Sequence, residues 1–369
     1  GDGNPDTIDP YITAADAVWV GPPAFGDIDG GGDEELIGAD AEGRLYAWKR
    51  DGTEVYDGDG DAQTDGVLFA GLPLAAPPML IDVNDDSIFE IVIIEHVSDS
   101  LSVSFINGEG ARNQLIGANF AIVWGGSVRA QASSPPGFGA LGYAGEDTEG
   151  VAFAWSDTTG GVYGFSYFPV KFRGDSAPLA PVSVTWTSES PLPVEFPAAS
   201  PVVTGDLDQN GFDEAVFTLP DGRLAVFNRR GRAPIDGSST GGLIELVALK
   251  SGSPSAPALG DVDNNGTLEI ALWDDSNCYI YEHNARLGAN WPQPLRPTTL
   301  GDFPELYFDM ILASPLVAYI DGNDGVEILY PWGDGAIHGF APNGTRLEGS
   351  PRNAPDGIVA TPMIADLAG

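Results

Sequence analysis

The chain has one cysteine, Cys278, in 369 residues, which excludes an internal disulfide framework and leaves the redox compartment open. Lysine is nearly as scarce, at three (Lys49, Lys171 and Lys250), and basic residues total 16 against 54 acidic ones, for a net charge of −38. That imbalance excludes nucleic acid and anionic membranes as partners held by charge. Long apolar runs are missing as well. Ile91 to Ile94 is among the longest, so no segment is expected to cross a bilayer as a helix. An apolar period of 3.6 is not found, and helix is expected to be nearly absent. There is no G-x-S-x-G elbow, P-loop or H-E-x-x-H motif. The three histidines, His96, His283 and His338, fall in different repeats and have no neighbouring partner in sequence. No signal peptide is visible, and an opening GDGNPD without methionine is what a matured or excised segment would show.

The chain does contain a 43% hydrophobic fraction, enough for a substantial core, and 49 glycines with 30 prolines, which suit many short strands and turns. It also contains a repeat. SPVVTGDLDQNGFDEAVF from Ser200 is matched by GPPAFGDIDGGGDEELIG from Gly21, APPMLIDVNDDSIFEIVI from Ala76 and APALGDVDNNGTLEIALW from Ala256. Shorter relatives are SPLVAYIDGNDGVEILY from Ser314 and TPMIADLAG from Thr361. SPPGFGALGYAG from Ser134 keeps the apolar frame but has Ala140 and Gly142 in place of aspartates. The leading prolines are Pro22, Pro77, Pro135, Pro201, Pro257, Pro315 and Pro362. A second pattern follows the loops: GRLYAWKRDG from Gly43, GVYGFSYF from Gly161, GRLAVFNRRG from Gly222, NCYIYEHN from Asn277 and GAIHGFAPNG from Gly335. These alternate apolar and polar residues and end in a turn, as a strand entering a hairpin does.

A unit of about four short strands has no core of its own and must stack on its neighbours. The expected fold is therefore all-β: a β-propeller of about seven blades of four-stranded antiparallel sheet, with six full repeats and an incomplete one. Residues 22–369 would form this single domain. Residues 1–21 would be an acidic lead-in, whose Ala17 to Val20 can supply a closing outer strand.

Aligned, the loops read D-x-[DN]-x-[DNG]-[GS]-x-x-E, with oxygen ligands at positions 1, 3, 5 and 9. Calcium takes several oxygens in a flexible cage, and alternating acids on a tight turn supply them. An EF-hand would close at position 12 between helices; here the acid comes at 9 and strands flank the loop. The small residue at position 6 lets the chain reverse, with positive φ. The predicted sites are Asp27, Asp29 and Glu35; Asp82, Asn84, Asp86 and Glu90; Asp206, Asp208, Asn210 and Glu214; and Asp261, Asp263, Asn265 and Glu269. The Ser314 copy has Tyr319 at position 1, so Asp321, Asn323 and Glu327 make a weak or empty site. The Ser134 copy should bind no metal. Solvated Asp/Asn/Gly turns are the alternative reading, since these residues favour turns anyway.

The frames P-x-x-x-G-D-x-D-x-x-G-x-x-E and the strands G-x-[LV]-[YA]-x-[FW] resemble the FG-GAP/VCBS-type calcium-binding repeat propellers of the integrin α head and of many secreted bacterial proteins, over roughly residues 20–369. That resemblance implies structural calcium at the blade periphery and a role in adhesion or ligand binding, with some lectins and a few polysaccharide lyases.

Several pieces fall outside the frames. Asp57, Asp59, Asp61 and Asp65 repeat the 1, 3, 5, 9 oxygen pattern and offer a further metal loop. Asp2 and Asp6 match the second half of such a loop. Arg173-Gly174-Asp175 spells an adhesion tripeptide, and Asn343-Gly344-Thr345 is a glycosylation sequon. Trp48, Phe165, Phe227, Tyr281 and Phe340 recur at one strand position, as core residues would. Trp124, Trp186, Trp273, Trp291 and Trp332 lie outside that register and are candidates to line a face.

The reading reached from sequence is a non-catalytic, secreted or surface-exposed propeller, stiffened by calcium at four or more loops and presenting a face to a protein or glycan ligand. Alternatives are a polysaccharide lyase or hydrolase on the same scaffold, and a structural subunit that assembles through the incomplete last blade.

Overall fold

Short runs of β-branched and aromatic residues, each cut off by Asp, Gly or Pro, leave no room for helices and favour brief strands. The computed structural model describes residues 18–58, 66–83, 85–97, 100–112, 120–121, 130–133, 136–141, 148–157, 162–172, 182–187, 200–219, 222–228, 243–245, 254–274, 276–294, 314–320, 326–332 and 336–353. Among them are 25 strands, β1 to β25, and no helix. The strands form six antiparallel sheets, each built on a four-strand meander in which a strand pairs with the next in sequence; β9 (Ala130–Ser133) alone lies off these paths and pairs with β11 (Thr148–Asp157).

The chain divides into two compact units. The first comprises Gly1–Pro136 with Trp155–Thr158. It holds the sheet β1 (Ala24–Gly26), β2 (Glu35–Ala39), β3 (Arg44–Trp48), β4 (Val67–Ala70), and the sheet β5 (Met79–Ile81), β6 (Glu90–Val97), β7 (Ser100–Ile106), β8 (Phe120–Ala121). In this unit β9 (Ala130–Ser133) pairs with Trp155, Ser156 and Asp157. The stretch Val18 to Val20 lies along β2, with Trp19 bridging Asp40, so it belongs to the first sheet. Leu74 bridges Glu95 in the same way in the second.

The second unit, Gly137–Ala154 with Thr159–Gly369, holds four sheets, save the last three residues of β11, which fall in the first unit. They are β10 (Gly137–Gly139), β11 (Thr148–Asp157), β12 (Val162–Phe172), β13 (Val182–Thr187); β14 (Val203–Gly205), β15 (Glu214–Thr218), β16 (Arg223–Phe227), β17 (Leu243–Glu245); β18 (Ala258–Gly260), β19 (Glu269–Trp273), β20 (Asn277–Tyr281), β21 (Gln293–Pro294); and β22 (Leu316–Ala318), β23 (Glu327–Trp332), β24 (Ala336–Phe340), β25 (Arg352–Asn353). The frame at Thr361 lies outside the described residues.

Within each unit the first strands of successive sheets lie side by side: β1 with β5 in one, and β10, β14, β18 and β22 in the other. Stacking of this kind covers both faces of the middle strands. β15 and β19 are accordingly buried at every residue, and β3, β16 and β20 at all but their first. The expected polar/apolar alternation is therefore replaced by continuous burial, because no face is left for solvent. Trp48, Phe165, Phe227, Tyr281 and Phe340 are all buried, and the rings of Phe165 and Phe227 stack 5.0 Å apart. Trp273 and Trp291 do not line a face: both are buried with Tyr330 and Phe340 in one cluster. Trp186 and Trp332 fall on β13 and β23, and Trp124 lies outside the described residues. Cys278 is buried in the same cluster as Trp273.

The glycine that precedes the first aspartate has a packing cause. A Cβ on Gly26 would lie 2.8 Å from Leu80 Cδ1, one on Gly205 2.7 Å from Leu268 Cδ1, and one on Gly260 2.7 Å from Val317 Cγ1. In each case the first-strand backbone must accept a side chain of the next sheet at a distance no Cβ allows. Gly260→Ala should cost about 1–3 kcal/mol through overpacking. The check is urea unfolding, where a lower midpoint at unchanged slope is expected, and an unchanged midpoint would refute the packing argument.

Candidate metal centres

Strand pairing fixes where each loop closes. The position-9 glutamate opens the second strand opposite the last residue of the first, as in Gly26↔Glu35, Ile81↔Glu90, Gly205↔Glu214, Gly260↔Glu269 and Ala318↔Glu327. All five glutamates are buried. Each turns Oε2 back to accept the backbone N–H of position 2: Ile28 at 3.0 Å, Val83 at 3.1 Å, Leu207 at 3.0 Å, Val262 at 2.7 Å and Ile320 at 2.7 Å. The position-2 side chains Ile28, Leu207 and Val262 are buried and anchor the loop to the core.

The aspartates above this base are held by the loop's own backbone. In the third and fourth loops the position-1 carboxylate accepts N–H from positions 5 and 6: Asn210 at 3.0 Å and Gly211 at 2.8 Å for Asp206, Asn265 and Gly266 both at 2.9 Å for Asp261. Asp208 and Asp263 each accept a second bond from the same Asn N–H, and Asn210 and Asn265 accept from Phe212 and Thr267. Asp82 repeats this with Asp86 and Ser87, whereas Asp27 accepts from positions 4 and 6, Gly30 and Gly32, and Gly31 donates to Asp29. Position 6 has positive φ as expected, at Gly32, Ser87, Gly211 and Gly266. Position 4 does too, at Gly30, Asp85, Gln209 and Asn264, which went unforeseen although Gly, Asp and Asn there are residues that tolerate it.

These turns bring three of the predicted ligand sets together. One oxygen each from Asp27, Asp29 and Glu35, from Asp206, Asp208 and Glu214, and from Asp261, Asp263 and Glu269 lie within 4.8 Å of one another. Oxygen-only donors this close suit a hard dication. Whether the residues fit an ion is best tested at Glu214. Its Oε2 is taken by Leu207 and its Oε1 is buried with no hydrogen-bond partner, on a side chain that groups with Asp206 and Asp208. A buried carboxylate oxygen without a donor is costly, and a cation supplies what the protein does not. Burial, with the charges of Asp208 and Asp206, pushes the Glu214 carboxyl up to about 8. Glu35, Glu90 and Glu269 are also raised, first by burial.

The loops are not equivalent. In the first, where Gly31 brings no side-chain oxygen, Lys49 Nζ donates to Asp29 Oδ2 at 2.7 Å and lowers its pKa. Sequence comparison held the signal: the matching strands continue with Asn228, Glu282 and Ala341. In the second loop Asp82, Asp86 and Glu90 are placed, but Asn84 lies outside the described residues. The Ser134 frame, with no aspartate at position 1, is tied to the next loop instead: Ala140 N–H donates to Asp213 Oδ2 at 2.9 Å, and Asp213 N–H to the Ala140 carbonyl at 3.0 Å. In the Ser314 frame Tyr319 is exposed and Glu327 keeps its bond to Ile320, while Asp321 and Asn323 lie outside the described residues, as do Asp59, Asp61, Asp65, Arg173, Gly174 and Asp175. Asp57 is exposed, before β4. His338 is buried on β24, 2.9 Å from the Arg346 guanidinium.

A raised folded-state pKa favours folding at low pH. Below about 4.5 both states of Glu214 are protonated; between 4.5 and about 8 the unfolded chain ionises and the folded one resists. In chelator, the melting temperature should therefore fall as pH rises through that window, and Glu214→Gln should flatten part of the fall. Parallel curves for the two proteins would contradict the burial of this group.

No protein-family profile and no curated protein matches the chain. Solved structures do. BBS1N in complex with ARL6DN aligns with a TM-score of 0.50 at 12% identity, over 93% of this chain and 85% of that one. The V. cholerae biofilm matrix protein Bap1 aligns at 0.36 and 12%, over 86% and 66%. The quinohemoprotein alcohol dehydrogenase of Comamonas testosteroni aligns at 0.41 and 11%, over 89% and 59%. At such identities likeness speaks to fold alone. The chain is an all-β protein of the β-propeller class.

Proposed function

We propose that the loops at Asp27, Asp82, Asp206 and Asp261 bind calcium, that the repeats are of the FG-GAP/VCBS type, and that the protein is a secreted or surface-exposed, non-catalytic module for a protein or glycan ligand. The observation that carries the metal reading is Glu214, whose carboxylate groups with those of Asp206 and Asp208 and whose Oε1 is buried without a hydrogen-bond partner. Calcium is the dication that suits all-oxygen, carboxylate-rich, flexible cages. When bound it supplies positive charge where three carboxylates converge. The chain's own residues do the rest: the position-9 glutamate closes the base, the position-1 aspartate folds the turn, and the position-6 residue reverses the chain.

The ion binds the folded loop and not the unfolded chain, so it stabilises by mass action, by about 2.7 kcal/mol per site at a hundred times Kd. A rigid frame with a net charge of −38 suits cationic or metal-bridged partners outside the cell. BBS1N, a fold neighbour, is in complex with ARL6DN, which supports reading the fold as a scaffold for a protein ligand.

The test is a calorimetric melt with and without EDTA, paired with elemental analysis of the purified chain. The expected result is several calcium ions per chain and a melting point lower by several degrees in EDTA. No bound calcium and an unmoved melting point would end the proposal. A glycan array and assays on acidic polysaccharides separate binding from turnover, and turnover lost on changing one surface residue with folding intact would make the protein an enzyme.

A further inference from the structure

The third and fourth loops are joined by a side chain. Gln209, at position 4 of the third loop, donates from Nε2 to the carbonyl of Gly266, at position 6 of the fourth, at 2.7 Å. Position 4 has positive φ in each placed loop: 74° at Gly30, 62° at Asp85, 57° at Gln209 and 60° at Asn264. Glycine, aspartate and asparagine take that backbone readily; glutamine is not among the residues that do. Its extra methylene, however, gives it the reach to the next loop. At this loop the conformational cost accompanies a side chain that makes the crossing.

Both ends of the bond lie in ligand-bearing backbone. Gln209 sits between Asp208 and Asn210, while Gly266 follows Asn265 and gives its own N–H to Asp261 at 2.9 Å. The Gly266 residue is thus gripped from two sides, by Asp261 at its N–H and by Gln209 at its carbonyl. On the other flank, Asp213 of the third loop makes two bonds to Ala140. The third loop is the middle member of three frames wired in series.

We propose that Gln209 is a positioning residue that makes calcium binding at the third and fourth loops cooperative. This rests on the calcium reading above. An ion held by Asp206, Asp208, Asn210 and Glu214 fixes the backbone on either side of Gln209 and aims its amide. The amide then holds Gly266 in the conformation that presents Asn265 and Asp261. Coupling is reciprocal by necessity, so an ion in the fourth loop favours the third equally. One exposed hydrogen bond between neutral groups limits the effect to about fivefold in affinity.

The experiment uses the full chain, stripped with chelator, labelled with 15N-glycine and titrated with calcium chloride, following the amides of Gly211 and Gly266. Two changes are compared singly and together. Asp206→Asn disables the third loop; Gln209→Asn keeps every carboxylate and suits positive φ, but is too short to reach Gly266. Each alone should move the Gly266 midpoint to about fivefold higher calcium, and the pair should move it no further. A Gly266 midpoint that Gln209→Asn leaves in place overturns the coupling. So does a shift on disabling the third loop that persists undiminished in the Gln209→Asn background. If both amides saturate with calcium but independently, the coupling alone fails. If neither responds, the calcium reading fails and takes the coupling with it.

Discussion

A glutamate carboxylate buried at the mouth of a β-turn, accepting the N–H of a residue seven positions earlier, is the contact on which each loop rests. It recurs at Glu35, Glu90, Glu214, Glu269 and Glu327, including the frame where tyrosine has replaced the first aspartate. That persistence separates two roles for one side chain. One oxygen closes the hairpin in each of these five frames; the other accepts from Thr267 at Glu269 and has no hydrogen-bond partner at Glu214. The base of the loop is therefore a property of the fold, and its upper part varies from repeat to repeat.

Above the base the loops settle a conflict of forces. Three carboxylates within 4.8 Å repel one another, and the backbone N–H groups of the turn answer part of that charge. In the first loop a lysine ammonium answers more of it. In the third, no donor reaches the second oxygen of Glu214. The first and third loops thus differ in how far the protein's own donors answer the converging carboxylates.

Most of this could be read along the chain. The repeat, the strand that follows each loop, the buried aromatic register and the spacing of the loop carboxylates are periodic, and periodicity survives without coordinates. The first-strand glycine was visible as a letter but not as a cause, because its reason lies on Leu80, Leu268 or Val317 of the adjacent sheet. Trp273 and Trp291 looked unassigned because they leave the repeat register, yet stacking covers them as fully as their neighbours. Lys49 stood out only as a departure from the matching positions, and the partners of Lys49, Gln209 and Asp213 were illegible for one common reason. Each acts on a loop or strand far from it in sequence, and local pattern carries no information about what a long side chain reaches across a stack.

The bond pair between Ala140 and Asp213 bears on how such a protein can be rearranged by recombination. The frame that lost its aspartates is held by a carboxylate encoded in the following repeat, where the next copy along carries Leu268 instead. Exchanging those two copies would strand the Ala140 amide beside a leucine. Alike as the repeats look on paper, their order is written into the contacts between them, and shuffling would be punished at the seams.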